Sequence, residues 1–178
     1  MKPILKDIAF IGLVSVLFSG CASTNIPPRI QQVPEGQPTV AEVRQEPTRF
    51  DNVMVRWGGT IVSVENLPDA TLIEVLSRKL SSKGKPDSDS SGKGRFMIRF
   101  SGFLDPEEYP KERLLTVTGR TSGILKKAVG EYPYQYPIVL PESHYLWPKE
   151  QPRSYYPYYW DPFYDPWYPF GYRHPYYW

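Results

Sequence analysis

Cysteine is nearly absent from this chain of 178 residues: Cys21 is the only one. No disulfide can form within the chain, and no Cys-ligated metal or dithiol redox site is available to it. Histidine is almost as scarce. His144 and His174 are the only two, they stand in proline-rich sequence, and no HExxH-like spacing surrounds them, so a dedicated zinc site is not expected. Charge of either sign is not in excess. Lys and Arg number 21 against 19 Asp and Glu, a formal net charge of +2, which leaves no electrostatic footprint for nucleic acid. No Gly-x-Ser-x-Gly elbow is present to hold a nucleophile. The stretch Lys83 to Gly94 has the glycines and lysines of a phosphate loop, but Asp87 stands where a glycine is needed and Gly94 where a Ser or Thr is needed. It reads as a solvated, mobile hairpin loop. No catalytic residue and no cofactor is expected, and the chain reads as a non-enzyme.

An apolar run of the ~20 residues that span a bilayer is lacking too. What is there is shorter and close to the N-terminus. Met1 to Lys6 supplies a basic start, and Ile8 to Phe18 forms an apolar stretch of the length a signal peptide uses. Phe18-Ser19-Gly20-Cys21 then resembles the lipobox of bacterial lipoproteins. The resemblance implies cleavage after Gly20 and acylation of Cys21, with an ordinary secretory signal and an incidental cysteine as the alternative. A buried acyl methylene contributes about 0.8 kcal/mol, one chain binds only reversibly, and several make a lasting anchor. Ala22-Ser23 follows the cysteine rather than an aspartate, which by the same resemblance implies the outer membrane of a Gram-negative bacterium. Outer-membrane lipid is therefore the implied partner, with the side facing periplasm or surface left open. Losing residues 1–20 removes Lys2, Lys6 and Asp7 and lowers the formal charge from +2 to +1.

Residues 21–47 are rich in Pro, Gln, Thr and Ser and carry no sustained apolar period, as expected of a flexible tether; Val40 to Arg44 has the makings of one helical turn. From Asp51 the pattern changes. Val53, Val55 and Trp57 alternate with Met54 and Arg56, the period of two of a half-buried strand. Gly58-Gly59 interrupts the run, as at a bulge or sharp bend, and Thr60 to Val64 resumes it. Further strands are expected over Thr71–Leu76, Arg95–Phe100 and Arg113–Arg120. Tyr136–Leu140 is expected as a last edge strand, because Pro137 cannot donate to a central ladder. Glu74 alternates with Ile73 and Val75 and is expected to face solvent. Asp105 precedes a proline and is expected to form an Asx-type turn. Short strands broken by Gly and Pro, without a long helix, predict an all-β domain over 48–147: a small five- to six-stranded, partly closed barrel of the OB type, with a plain sandwich as the alternative.

The ordered motifs are informative beyond their composition. Val55-Arg56-Trp57-Gly58-Gly59-Thr60-Ile61, Asn66, Thr71 to Val75, Gly94-Arg95-Phe96, Phe103-Leu104-Asp105-Pro106, Leu115 to Gly119, Gly130-Glu131-Tyr132 and Tyr136 to Val139 together resemble the Slp family of outer-membrane lipoproteins. The resemblance covers nearly the whole domain together with Cys21 and the tether. It implies a non-enzymatic envelope protein tied to starvation, stationary phase and acid stress, and it implies no active-site residues.

Residues 148–178 form a Tyr/Trp/Pro-rich tail in which prolines recur every few residues. They block continuous helix and central-strand pairing and leave extended or turn-rich backbone. Three readings compete for it: a belt on a lipid headgroup layer, a stacking surface for a glycan or an envelope protein, and a disordered tail of low specificity. The candidate binding surface comprises Trp57, Tyr158, Trp160, Trp167 and Trp178. For Trp57, beside its glycine pair, core packing competes with a ligand platform.

Overall fold

The computed structural model describes residues 26–149. The leader, Cys21 and the tail with Tyr158, Trp160, Trp167 and Trp178 lie outside the described residues. Five strands are present: β1 Met54–Asn66, β2 Ala70–Ser77, β3 Arg95–Ser101, β4 Leu114–Val129 and β5 Tyr132–Leu146. They close in the order β1-β2-β3-β5-β4. Every pairing is antiparallel except β3 with β5, which meet through Met97↔Ile138 and Ile98↔Val139. This is an OB-type barrel, as expected, and it closes all the way round instead of partly.

Alternation selects the interior. Val55, Trp57 and Ile61 of β1 meet Ile73 and Val75 of β2, Phe96, Ile98 and Phe100 of β3, Leu115 and Val117 of β4, and Val139 of β5. The two halves of β1 serve different neighbours: Met54–Thr60 pairs with β4, and Gly59–Asn66 pairs with β2. The register shift lies between Ile61 and Ser63, so the glycine pair is not itself the bulge. Its task is close approach. A Cβ on Gly59 would stand 1.9 Å from the Leu76 carbonyl oxygen.

Each barrel end has its own plug. At the start of β3, helix α2 (Val40–Gln45) inserts Val40 and Val43 into the core. Thr39 caps this helix: its Oγ1 accepts from the Glu42 N–H at 3.2 Å, while its own N–H donates to the Glu42 carboxylate at 2.7 Å. Trp57 Nε1 donates to the Pro38 carbonyl at 3.0 Å and ties the helix entry to β1. At the other end, the β3–β4 connection brings Tyr109 against Phe100 and His144. Asp105 forms the expected turn, accepting from the Glu107 N–H at 2.9 Å.

Two expectations need correction. The stretch 21–47, read as a tether, belongs to the folded unit from Ile26 onward. Short helix α1 (Pro28–Gln31) buries Ile30 completely, and α2 follows it. Three apolar anchors among five prolines left no period to read. Likewise β5 is no edge strand. It is longer than expected and has β4 on one side and β3 on the other. Its Pro137 and Pro141 pair with Ile124 and Gly119, each beside a register shift of the β4–β5 ladder, where a missing donor is tolerated.

Candidate functional site

OB barrels that bind oligonucleotides or oligosaccharides do so on the β2–β3 face and its neighbouring loops. Here that face is occupied from within. The outer part of the β4–β5 hairpin folds across it, so Met97 and Tyr136 are buried. Glu74, expected in solvent, is only 7% exposed. Its Oε1 accepts from Arg95 Nη1 at 2.6 Å and from the Tyr136 hydroxyl at 3.1 Å, and its Oε2 accepts from Ser63 Oγ at 3.1 Å. The Tyr134 hydroxyl continues the cluster by accepting from the Arg95 backbone N–H at 2.9 Å and from Arg44 Nη1 at 2.8 Å. Lys127 pairs with Glu65 farther along the same hairpin. Burial, and then the charge of Glu74, push the Tyr136 phenol above its usual range. It stays neutral and donates. The members of the cluster bond one another across strands and tie the hairpin to the barrel as a clasp.

Trp57 lies in the barrel interior, with its ring edge-on to Phe96 at 5.3 Å between centroids. It offers no ring face to solvent. Its neighbour Arg56 points the other way and is also buried. Arg56 Nη1 donates to the carbonyls of Ile30 at 3.1 Å, Gln31 at 3.0 Å and Ser82 at 3.4 Å, and its own N–H donates to Gln37 Oε1 at 2.6 Å. Burial lowers its pKa, yet a guanidinium remains charged. Arg56 thus staples both the N-terminal segment and the loop after β2 to the barrel. The loop expected to be solvated and mobile is held at Gly84, whose carbonyl accepts from Thr116 Oγ1 at 2.7 Å.

Neither role was readable beforehand. Arg56 and Glu74 sit at ordinary outward positions of alternating strands, and what covers them comes from residues far along the chain. Only the run Tyr134-x-Tyr136, two large rings on one face of a strand, hinted at an outer surface that becomes buried.

His144 shares a hydrogen bond with the Tyr109 hydroxyl at 2.9 Å and packs edge-on against Phe100. Burial lowers its pKa below 6.5. The folded chain therefore holds it neutral, while the unfolded chain takes up a proton near pH 6.5. Stability is fully present above that value and falls as the pH drops from there toward the lower native pKa. Urea midpoints at pH 7.5 and 5.5 should diverge more for the wild type than for His144→Gln. Equal divergence would remove the histidine from the account.

Two shallow cavities of about 380 and 340 Å³ flank Glu142, one reaching Arg120 and Leu140, the other Arg29 and Val33. Glu142 pairs with Arg29 at 2.7 Å and Arg120 at 3.4 Å. These are exposed ion pairs of small energetic weight. Among the described residues no cluster of His, Cys, Asp or Glu is placed to hold a metal ion, and no helix is long and apolar enough to cross a membrane.

The chain is thus an OB-type barrel whose usual ligand face is filled by its own hairpin. The family described as "Outer membrane lipoprotein Slp family" matches residues 18–177, and the chain belongs to it. It is a lipid-anchored protein of the outer membrane. Among relatives, an uncharacterized protein of Haemophilus influenzae is 40% identical over 94 residues, 52% of this chain and 51% of its own length. This chain thus spans about half of that relative. The Outer membrane protein Slp of Escherichia coli is 30% identical over 78% of this chain and 73% of its own. The lipoprotein YeaY of the same organism is 27% identical over 82% and 74%. Among solved structures, OBody AM1L10 bound to hen egg-white lysozyme is similar at a TM-score of 0.39 and 12% identity, over 67% of this chain and 98% of that one. The barrel assignment rests on the strand pairings above.

Proposed function

We propose that the protein is acylated at Cys21 and contributes, without catalysis, to the integrity of the cell envelope under starvation, stationary-phase or acid stress. The observation that carries this reading is the docked N-terminal segment. Arg56 binds the carbonyls of Ile30 and Gln31, so Cys21 stands only a few residues before a rigid unit. Five residues reach at most ~18 Å. An acyl group there holds the barrel against the lipid instead of letting it roam. The filled β2–β3 face also favours a packing role over small-ligand chemistry.

The test is complementation. A strain lacking the gene should lose survival and admit more of a large dye under these stresses. The wild-type gene should restore both, and Cys21→Ala should restore neither, its product no longer fractionating with the outer membrane. Unchanged survival and permeability in the deletion strain would refute the stress role. Retention of Cys21→Ala in the outer membrane would refute the anchor.

A further inference from the structure

Both ends of the described chain leave the barrel beside the same strand. The Arg29 carbonyl accepts from Thr118 Oγ1 at 3.0 Å. Two positions away on β4, Thr116 Oγ1 accepts from Trp147 Nε1 at 2.9 Å. Residues i and i+2 of a strand project from one face, roughly 7 Å apart. Gly84 lies between them, its carbonyl bound by Thr116 and its Cα packed on the Ile30 backbone, where an added Cβ would meet the Ile30 oxygen at 2.5 Å. The N-terminal segment, the loop after β2 and the start of the C-terminal segment thus share the outer side of β4.

Resting on the lipid-anchor reading, we propose that the aromatic segment 150–178 engages the headgroup layer of the same phospholipid membrane, giving the barrel a second attachment on its β4 side. Cys21 stands eight residues before Arg29, a reach of at most ~29 Å, so an acylated Cys21 keeps the outer side of β4 close to the lipid. The aromatic segment starts three residues after Trp147 and is therefore delivered to that surface at high effective concentration. Its composition suits the destination. Residues 150–178 hold nine Tyr, three Trp and two Phe, with three acidic residues against two arginines. Tyr and Trp favour the membrane–water interface, where the ring is apolar and the O–H or N–H stays wet. Near-neutral charge neither drives the segment off an anionic lipid surface nor depends on one.

The tryptophans allow a direct test. Trp57 and Trp147 are buried, whereas Trp160, Trp167 and Trp178 lie in the aromatic segment. The full chain, expressed with its leader in a lipoprotein-processing bacterium, is reconstituted in phosphatidylethanolamine–phosphatidylglycerol vesicles with bromine at a shallow acyl position. Wild-type emission from the three segment tryptophans, obtained by subtracting that of Trp160→Phe/Trp167→Phe/Trp178→Phe, should drop about two-fold or more against unbrominated vesicles, as for rings at the interface. The triple variant should show almost no quenching. Wild type that sediments with vesicles but keeps its segment emission overturns the second attachment and leaves the anchor standing. Quenching in chain that carries an unmodified Cys21 supports the segment contact and removes the anchor. Neither sedimentation nor quenching overturns both.

Discussion

Gly59→Ala is expected to cost more than about 3 kcal/mol, above the usual range for overpacking, and to leave little folded protein. The added Cβ would lie 1.9 Å from the Leu76 carbonyl oxygen and 2.7 Å from its carbonyl carbon. Both atoms are backbone of β2, so no side chain can swing aside. Gly59 also pairs with Ser77 on one side and Leu115 on the other. Moving it away from β2 would disturb the β4 ladder, and a closed barrel has no free edge toward which the strain can relax. Total stabilities of domains are about 5–15 kcal/mol, so a loss of this size is decisive. Gly92→Ala is the control, because the three atoms nearest its Cβ all belong to the Leu76 side chain, which can rotate. Circular dichroism and urea unfolding should show the first variant largely unfolded and the second close to wild type. A Gly59→Ala protein with an unchanged midpoint would sink the close-approach account.

The second large effect is expected at the clasp. Glu74→Ala removes the shared acceptor of Arg95, Tyr136 and Ser63 at once. Breaking a fully buried ion pair costs about 3–5 kcal/mol. The Arg95 side chain is 30% exposed and can recover water, so about 2–3 kcal/mol is expected. Tyr136→Phe removes one donor to the same oxygen and should cost about 1 kcal/mol. The double variant should cost less than the sum, since both changes act on one bond. The location of the loss matters more than its size. Amide exchange should rise over the outer hairpin, residues 124–136, while Ile73, Val75 and Ile98 in the barrel stay protected. Uniform loss of protection would mean that the hairpin and barrel form one cooperative unit and that Glu74 is no clasp.

Much of the barrel was legible because its signal is local. Val55-Arg56-Trp57 and Arg95 to Phe100 alternate with the period that the pleat imposes, and neither needs a partner to be recognised. The proline-bearing fifth strand was recognised but misplaced. Pro137 argued for an edge, and the irregular registers that accommodate it arise only where β4 and β5 meet. Glu74 failed for a related reason. Alternation tells which way a side chain points and says nothing about what later folds over it. The helical turn over Val40 to Arg44 was readable and is present, but the burial of Ile30, Val40 and Val43 was not: three anchors spread through proline-rich sequence make no sustained period, yet each finds a place on a barrel built by other residues.

The amino-acid pattern alone therefore settled the all-β class of fold, narrowed the strands to five or six and pointed to the lipid address, because these follow from periodicity and from a contiguous signal of a few residues. Packing in three dimensions settled the rest. The parallel contact of β3 with β5 joins Met97 to Ile138, and Tyr136 crosses to Glu74. No local propensity encodes such meetings, since they form only when closure of the sheet brings distant strands side by side.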